Sequence, residues 1–177
     1  MRRLFLLRHA KSAWPAGTAD FERPLAPRGI AAARLMGDYL RREGFAPARI
    51  LVSPARRTRE TWRLVNEAWQ PAGAAVAEEA RIYAASLGTL LALVRETPAD
   101  AASLMLIGHN PGFAELAVLL SDAGASTDDD YRRMTQKYPT AALAAIDFPI
   151  DDWRVVPESG RLARFVTPKQ LGGRDDD

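Results

Sequence analysis

Only two histidines occur in this 177-residue chain, and each closes a short apolar run. His9 ends Leu4-Phe5-Leu6-Leu7-Arg8-His9, and His109 ends Leu104-Met105-Leu106-Ile107-Gly108-His109. An unperturbed imidazole titrates near pH ~6.5, so its neutral nitrogen is a competent nucleophile at neutral pH. Arg8 adds a planar guanidinium matched to phosphate oxygens. Ser12 offers a hydroxyl to the same kind of anion. A second group is Ser53-Pro54-Ala55-Arg56-Arg57-Thr58-Arg59-Glu60-Thr61, in which helical spacing sets Ser53, Arg57 and Thr61 near one another. The amides and positive dipole end of a helix starting there favour an anion, which Arg57 reaches from one turn in. The third is Gly108-His109-Asn110-Pro111-Gly112, where His109 can donate a hydrogen bond to a bound phosphate and Asn110 is a further substrate-binding candidate. Taken singly, each has an ordinary structural explanation: a strand-end pair, a loop serine, a solvated basic face, a satisfied core histidine. Their coincidence at strand ends points to phosphoryl chemistry.

The elements that must position these groups alternate between strand and helix. Both histidine-terminated runs read as buried parallel-type strands, too short for helices. In an open α/β sheet the ligand crevice lies outside the carboxyl ends of the strands. Two imidazoles 100 positions apart (109 − 9) are thereby delivered to one rim. The pattern predicts strands over residues 3–8, 50–52, 74–78 and 103–108. Helices are expected from Pro27 to about Glu43-Gly44, from Ser53 as N-cap with Pro54 in the first helical position, over 87–95, and over 112–120. The small, acidic stretch 121–130 reads as a mobile surface loop. Residues 141–148 and 161–167 read as closing strands, partly antiparallel, and 172–177 as a disordered tail. The expectation is one α/β domain over residues 1–171, with helices covering a mostly parallel sheet.

Composition narrows the chemistry. Zero cysteines exclude disulfides, thiolate metal sites and a cysteine nucleophile. With two histidines and no clustered carboxylate motif, no protein-built metal site is expected, and no cofactor is called for. A net charge of +2 without a basic, aromatic-interleaved block gives no support for nucleic-acid binding. No apolar stretch approaches a bilayer span, and Leu4–Leu7 is too short for a secretory core, so a cytoplasmic location is expected. A monomer is expected, because no long coiled-coil pattern is present.

Arg8-His9-Ala10 resembles the Arg-His-Gly signature of the histidine phosphatase superfamily, which has a phosphoglycerate-mutase-like fold, with alanine in third place. Ser53-Pro54-Ala55-Arg56-Arg57-Thr58-Arg59-Glu60-Thr61 is similar to the family's Ser-x-x-x-Arg-x-x-x-Thr helix start, and Gly108-His109-Asn110-Pro111 to the segment with its second histidine. Leu6-Leu7-Arg8-His9-Ala10-Lys11-Ser12 and Asp20-Phe21-Glu22-Arg23-Pro24-Leu25-Ala26-Pro27-Arg28-Gly29 resemble the small SixA-type branch, named for a protein phosphohistidine phosphatase. The resemblance spans roughly residues 2–168. It implies a three-layer α/β/α domain in which His9 attacks phosphorus and water then hydrolyses the phosphohistidine intermediate. Arg8, Arg57 and His109 would hold the phosphoryl oxygens.

Many superfamily members carry an acid after the third strand to protonate an alkoxide. Here Ala80 stands in the corresponding stretch, with Glu78 and Glu79 near it and Asp20 in the first loop as other carboxylates. A missing acid favours cleavage of P–N bonds, whose imidazole leaving group needs less help. The expected partner is therefore a phosphohistidine-bearing protein. A general phosphomonoesterase acting on small or seryl phosphates is the alternative, and a non-catalytic phosphate-binding module is a third reading.

Overall fold

The computed structural model describes residues 1–174 and contains a six-stranded sheet in the order β3-β2-β4-β1-β5-β6. The strands are β1 (Arg2–Arg8), β2 (Arg49–Val52), β3 (Ala75–Glu78), β4 (Ser103–Gly108), β5 (Leu143–Phe148) and β6 (Arg161–Val166). Strands β3, β2, β4 and β1 run parallel, whereas β5 pairs antiparallel with β1 and β6 antiparallel with β5. The helices are α1 (Pro27–Arg42), α2 (Arg56–Trp69), α3 (Leu87–Arg95), α4 (Gly112–Leu120) and α5 (Asp128–Gln136).

The strand pleat divides the core in two. Leu4 and Leu6 of β1 pack with Leu90 and Leu93 of α3 and with Phe113 and Leu116 of α4. Phe5 and Leu7 point the other way, into a cluster with Met36 and Leu40 of α1 and Leu64 and Val65 of α2. Helices therefore cover both faces, as expected for a three-layer α/β domain. The central strands read as unbroken apolar runs because neither face meets water.

Three local expectations are corrected. Helix α2 begins at Arg56 with Ala55 as its N-cap, not at Ser53 and Pro54. Ser53 instead continues the sheet, its N–H donating to the Ile107 carbonyl at 3.0 Å, and its hydroxyl is engaged by His109. The stretch 121–130 is not wholly loop, because α5 starts at Asp128. Met134 of that helix is buried in the core and Tyr131 packs against it, while Asp130 accepts from the Phe165 N–H at 2.9 Å. Finally, β5 begins at Leu143 rather than at residue 141. Ala141 adopts a left-handed φ of 59° in a turn, which takes it out of the strand.

At the C-terminus, Gly172 closes a short 3₁₀ helix with φ 89°, and the Gly173 N–H donates to the Pro168 carbonyl at 2.9 Å. The remainder of the expected tail, residues 175–177, lies outside the described residues. Among the described residues no helix is long and apolar enough to cross a membrane, and no three His, Asp or Glu side chains gather as a metal site would need.

Candidate active site

The sheet reverses direction at β1, which pairs with parallel β4 on one side and antiparallel β5 on the other. The crevice of an α/β sheet opens at the carboxyl ends of its parallel strands, and β1 and β4 end there side by side, with Arg8 paired to Gly108. His9 sits one residue past β1, fixed by its backbone: its N–H donates to Gly108 at 2.9 Å and its carbonyl accepts from Ala141 at 3.0 Å. The turn containing left-handed Ala141 is thus a direct support of the histidine. Helix α2 supplies a second support, because the buried Thr61 hydroxyl accepts from the Ala10 N–H at 2.9 Å and donates to the Arg57 carbonyl at 2.7 Å.

The His9 ring is almost fully buried and lies 2.8 Å through Nδ1 from the Ala10 carbonyl. A carbonyl can only accept, so Nδ1 carries the proton and Nε2 keeps its lone pair. Burial pushes the His9 pKa well below the usual histidine value. The Ala10 carbonyl works the other way, and the charges of His109, Arg57 and Arg8 add to the lowering. The ring is therefore neutral at pH 7, with its free nitrogen of the nucleophilic kind.

His109, after β4, stands beside it with ring centroids 5.2 Å apart. Its Nδ1 lies 3.3 Å from Arg57 Nη2, which can only donate, so Nδ1 accepts. Its Nε2 lies 2.7 Å from the Ser53 hydroxyl. Burial, followed by the charge of Arg57, lowers His109 to about 4. Because a serine hydroxyl both donates and accepts, it can support either tautomer of this imidazole. That is the use the fold makes of the serine the sequence had suggested as a helix cap.

The two arginines come from different elements, β1 and α2. Arg8 donates from Nη1 to the Tyr138 carbonyl at 2.8 Å, and Asn110 donates from Nδ2 to the same oxygen at 2.9 Å. Tyr138 is itself pinned under the sheet by its hydroxyl, which donates to the Leu6 carbonyl at 2.6 Å. Arg57, with only 8% of its side chain exposed, donates from Nη1 to the Asp20 carbonyl at 2.6 Å and from Nη2 to the Asp20 carboxylate at 3.1 Å. Its buried Nε has no hydrogen-bond partner among the described residues, and neither does Asn110 Oδ1. A buried guanidinium N–H left without an acceptor is costly, and an anion oxygen would relieve it.

A cavity of about 430 Å³ opens beside His9, lined by its ring neighbour His109 and by Asp20, Arg57, Tyr83, Asn110 and Pro111 among others. Ser12 does not line this cavity; its hydroxyl accepts from Arg23 Nη2 at 2.8 Å, and Arg23 also bonds Asp20. Glu79 is tied to Arg81 and caps a short helix, and Glu78 is exposed at the end of β3; neither lines the cavity. Asp20 does. Its carboxylate accepts from Tyr83 Oη at 2.9 Å, from Arg57, and from Arg23 Nη1 at 3.2 Å. Burial acts to raise the Asp20 pKa, but the hydrogen bonds from Tyr83 and Arg23 and the charge of Arg57 outweigh it and hold the group at about 2.

Tyr83, Tyr138 and Arg23 went unnoticed in the sequence. Tyr83 follows a short helix after β3 and reaches the site by packing edge-on against Phe21 and His109, contacts with no local sequence signal.

Comparison with known proteins identifies the family. The model of the histidine phosphatase superfamily (branch 1) matches residues 4–134. An uncharacterised protein from Mycobacterium tuberculosis strain H37Rv is 34% identical over 163 residues, covering 92% of this chain and all of that protein. A solved structure named for a SixA phosphohistidine phosphatase from Agrobacterium tumefaciens superposes with a TM-score of 0.78 at 31% identity, over 94% of this chain and 98% of that one. A protein histidine phosphatase SixA solved with tungstate gives a TM-score of 0.69 at 25% identity, over 96% and 99% of the two chains. The chain belongs to the histidine phosphatase superfamily (branch 1), as a SixA-like phosphatase.

Proposed function

We propose that the chain removes phosphate from phosphohistidine on a protein, through a covalent phosphohistidine formed at His9. The observation that carries this reading is a neutral imidazole nucleophile set among arginines, while Asp20, the one carboxylate lining the cavity among the described residues, is held ionised. His9 Nε2 attacks phosphorus, and its Nδ1–H remains on the Ala10 carbonyl. The phosphorylated ring then has a proton on its other nitrogen, so hydrolysis by water returns it as neutral imidazole. Arg8 and Arg57 offset the charge on the phosphoryl oxygens, the unpaired Nε of Arg57 being one available donor. His109 becomes a donor when its proton moves to Nδ1, a switch that the Ser53 hydroxyl accommodates by donating to Nε2.

The substrate assignment follows from leaving groups. An alkoxide needs a proton as it departs, and an acid with a pKa of about 2 is already ionised at neutral pH. An imidazole does not need one if it enters protonated. Trp14 is 67% exposed and stacks on Arg23 at 3.7 Å, and Arg23 in turn bonds Asp20, which lines the cavity. An exposed indole joined to the cavity's aspartate through Arg23 suits a protein substrate better than a small ester.

The covalent step is tested by quenching the enzyme during turnover of a labelled phosphoryl donor. Acid-labile, base-stable phosphate should map to His9 and vanish in His9→Ala together with turnover. Turnover surviving in that variant would refute the nucleophile assignment.

A further inference from the structure

Asp20 has no role in the steps above, although it sits over the cavity and touches Arg57. Its position relative to the nucleophile is informative. His9 is 8% exposed, whereas the Asp20 side chain is 44% exposed. In an in-line displacement the leaving group departs on the side opposite the nucleophile, here toward the mouth. The carboxylate is also fixed in place. Oδ2 accepts from both Tyr83 and Arg57, while Oδ1 accepts, among the described residues, only the 3.2 Å bond from Arg23. A carboxylate oxygen accepts about two hydrogen bonds, so Oδ1 retains capacity for one more donor on its solvent side.

We propose that Asp20 recognises the departing imidazole of a phosphohistidine substrate, its carboxylate accepting a hydrogen bond from the ring N–H that is not bonded to phosphorus. The inference rests on the phosphohistidine reading and gives it a specificity-determining residue. The step balances without a proton transfer. The His9 Nε2 lone pair forms the new N–P bond, the electron pair of the old P–N bond returns to the substrate ring, and that ring leaves neutral because its other nitrogen already bears a proton. Ala10 performs the matching service for His9, its carbonyl holding the Nδ1–H so that the second P–N bond also breaks to a neutral imidazole. The phosphoryl group thus passes between two rings in the same protonation state, one held by Asp20 and the other by Ala10.

An N-phosphorylated imidazole keeps its second proton only near and below neutral pH, so holding that proton matters most on the alkaline side. An opposite charge in contact raises the pKa of a cationic ring by about 1–3 units, and one unit is a tenfold change in the protonated fraction. A carboxylate in this position gives no such help to an alkoxide, which has no N–H to offer.

The test compares Asp20→Asn with wild type on a histidine-phosphorylated peptide and on p-nitrophenyl phosphate, whose leaving group is weakly basic. Asp20→Asn should lower the ratio of kcat/KM on the peptide to that on the aryl phosphate by about tenfold or more. The alkaline limb of the peptide profile should move down by about one pH unit. Asp20→Glu, which keeps the charge, should recover most of the ratio. Equal losses on both substrates would overturn the proposal, since Asp20 would then act only by positioning Arg57. An unchanged ratio with an unmoved alkaline limb would overturn it as well. If wild type hydrolyses the aryl phosphate and not the peptide, the phosphohistidine reading falls and this inference with it. Peptide turnover by wild type, with no selective loss in Asp20→Asn, removes only the role given to Asp20.

Discussion

At the scale of single residues, the site is governed by which nitrogen carries a proton. Burial keeps both imidazoles neutral, at the expense of acid stability. His109 titrates at about 4 when folded and near ~6.5 when unfolded. Above pH ~6.5 neither state binds the proton, and the full stability is present. As the pH falls below that value the unfolded chain takes up a proton that the folded chain refuses, so stability declines until the folded pKa is reached. His109 alone accounts for a loss on the order of 3 kcal/mol between pH ~6.5 and ~4, and His9, displaced in the same direction, adds to it. Urea midpoints measured from pH 7.5 to 5 should therefore fall steadily, and His109→Gln should flatten part of the slope. A midpoint independent of pH over that range would show that the rings are not buried neutral.

Elements place these residues, and here the sequence was legible to unequal degrees. The apolar runs ending in Arg8 and Gly108 declared β1 and β4, because a strand buried on both faces carries its signal in every residue. Helix α3 was equally plain. The start of α2 was not, since Ser53 satisfies a histidine 56 positions away in place of its own helix. Helix α5 was hidden because its polar residues outnumber the few that reach the core. Arg8, His9, Arg57 and His109 could be found from strand ends, whereas Asp20 and Tyr83 arrive on segments whose course is set by tertiary contacts. The link between α2 and the loop after β1 is testable. Thr61→Ala removes the buried partner of the Ala10 N–H, and an orphaned buried donor costs about 1–3 kcal/mol. The variant should lose about that much stability and also lose activity on an aryl phosphate, because His9 adjoins the freed peptide. Thr61→Ser should retain both. A Thr61→Ala protein as stable and active as wild type would remove this support from the account.

At the scale of the whole molecule, the adjacent parallel ends of β1 and β4 set His9 against His109, beside a cavity that His109 lines together with Arg57, Asp20 and Tyr83. Family membership makes the chain a phosphatase; the distribution of charge around the proposed site argues for the bond it breaks. Two arginines suit the phosphoryl group, and an ionised aspartate suits a leaving group that brings its own proton. The most direct measurement is a comparison of wild-type kcat/KM on a histidine-phosphorylated protein, a sugar phosphate and a seryl phosphate peptide at neutral pH. The account predicts that the phosphohistidine substrate is turned over faster than either ester by orders of magnitude. Comparable rates on the alkyl phosphates would contradict it.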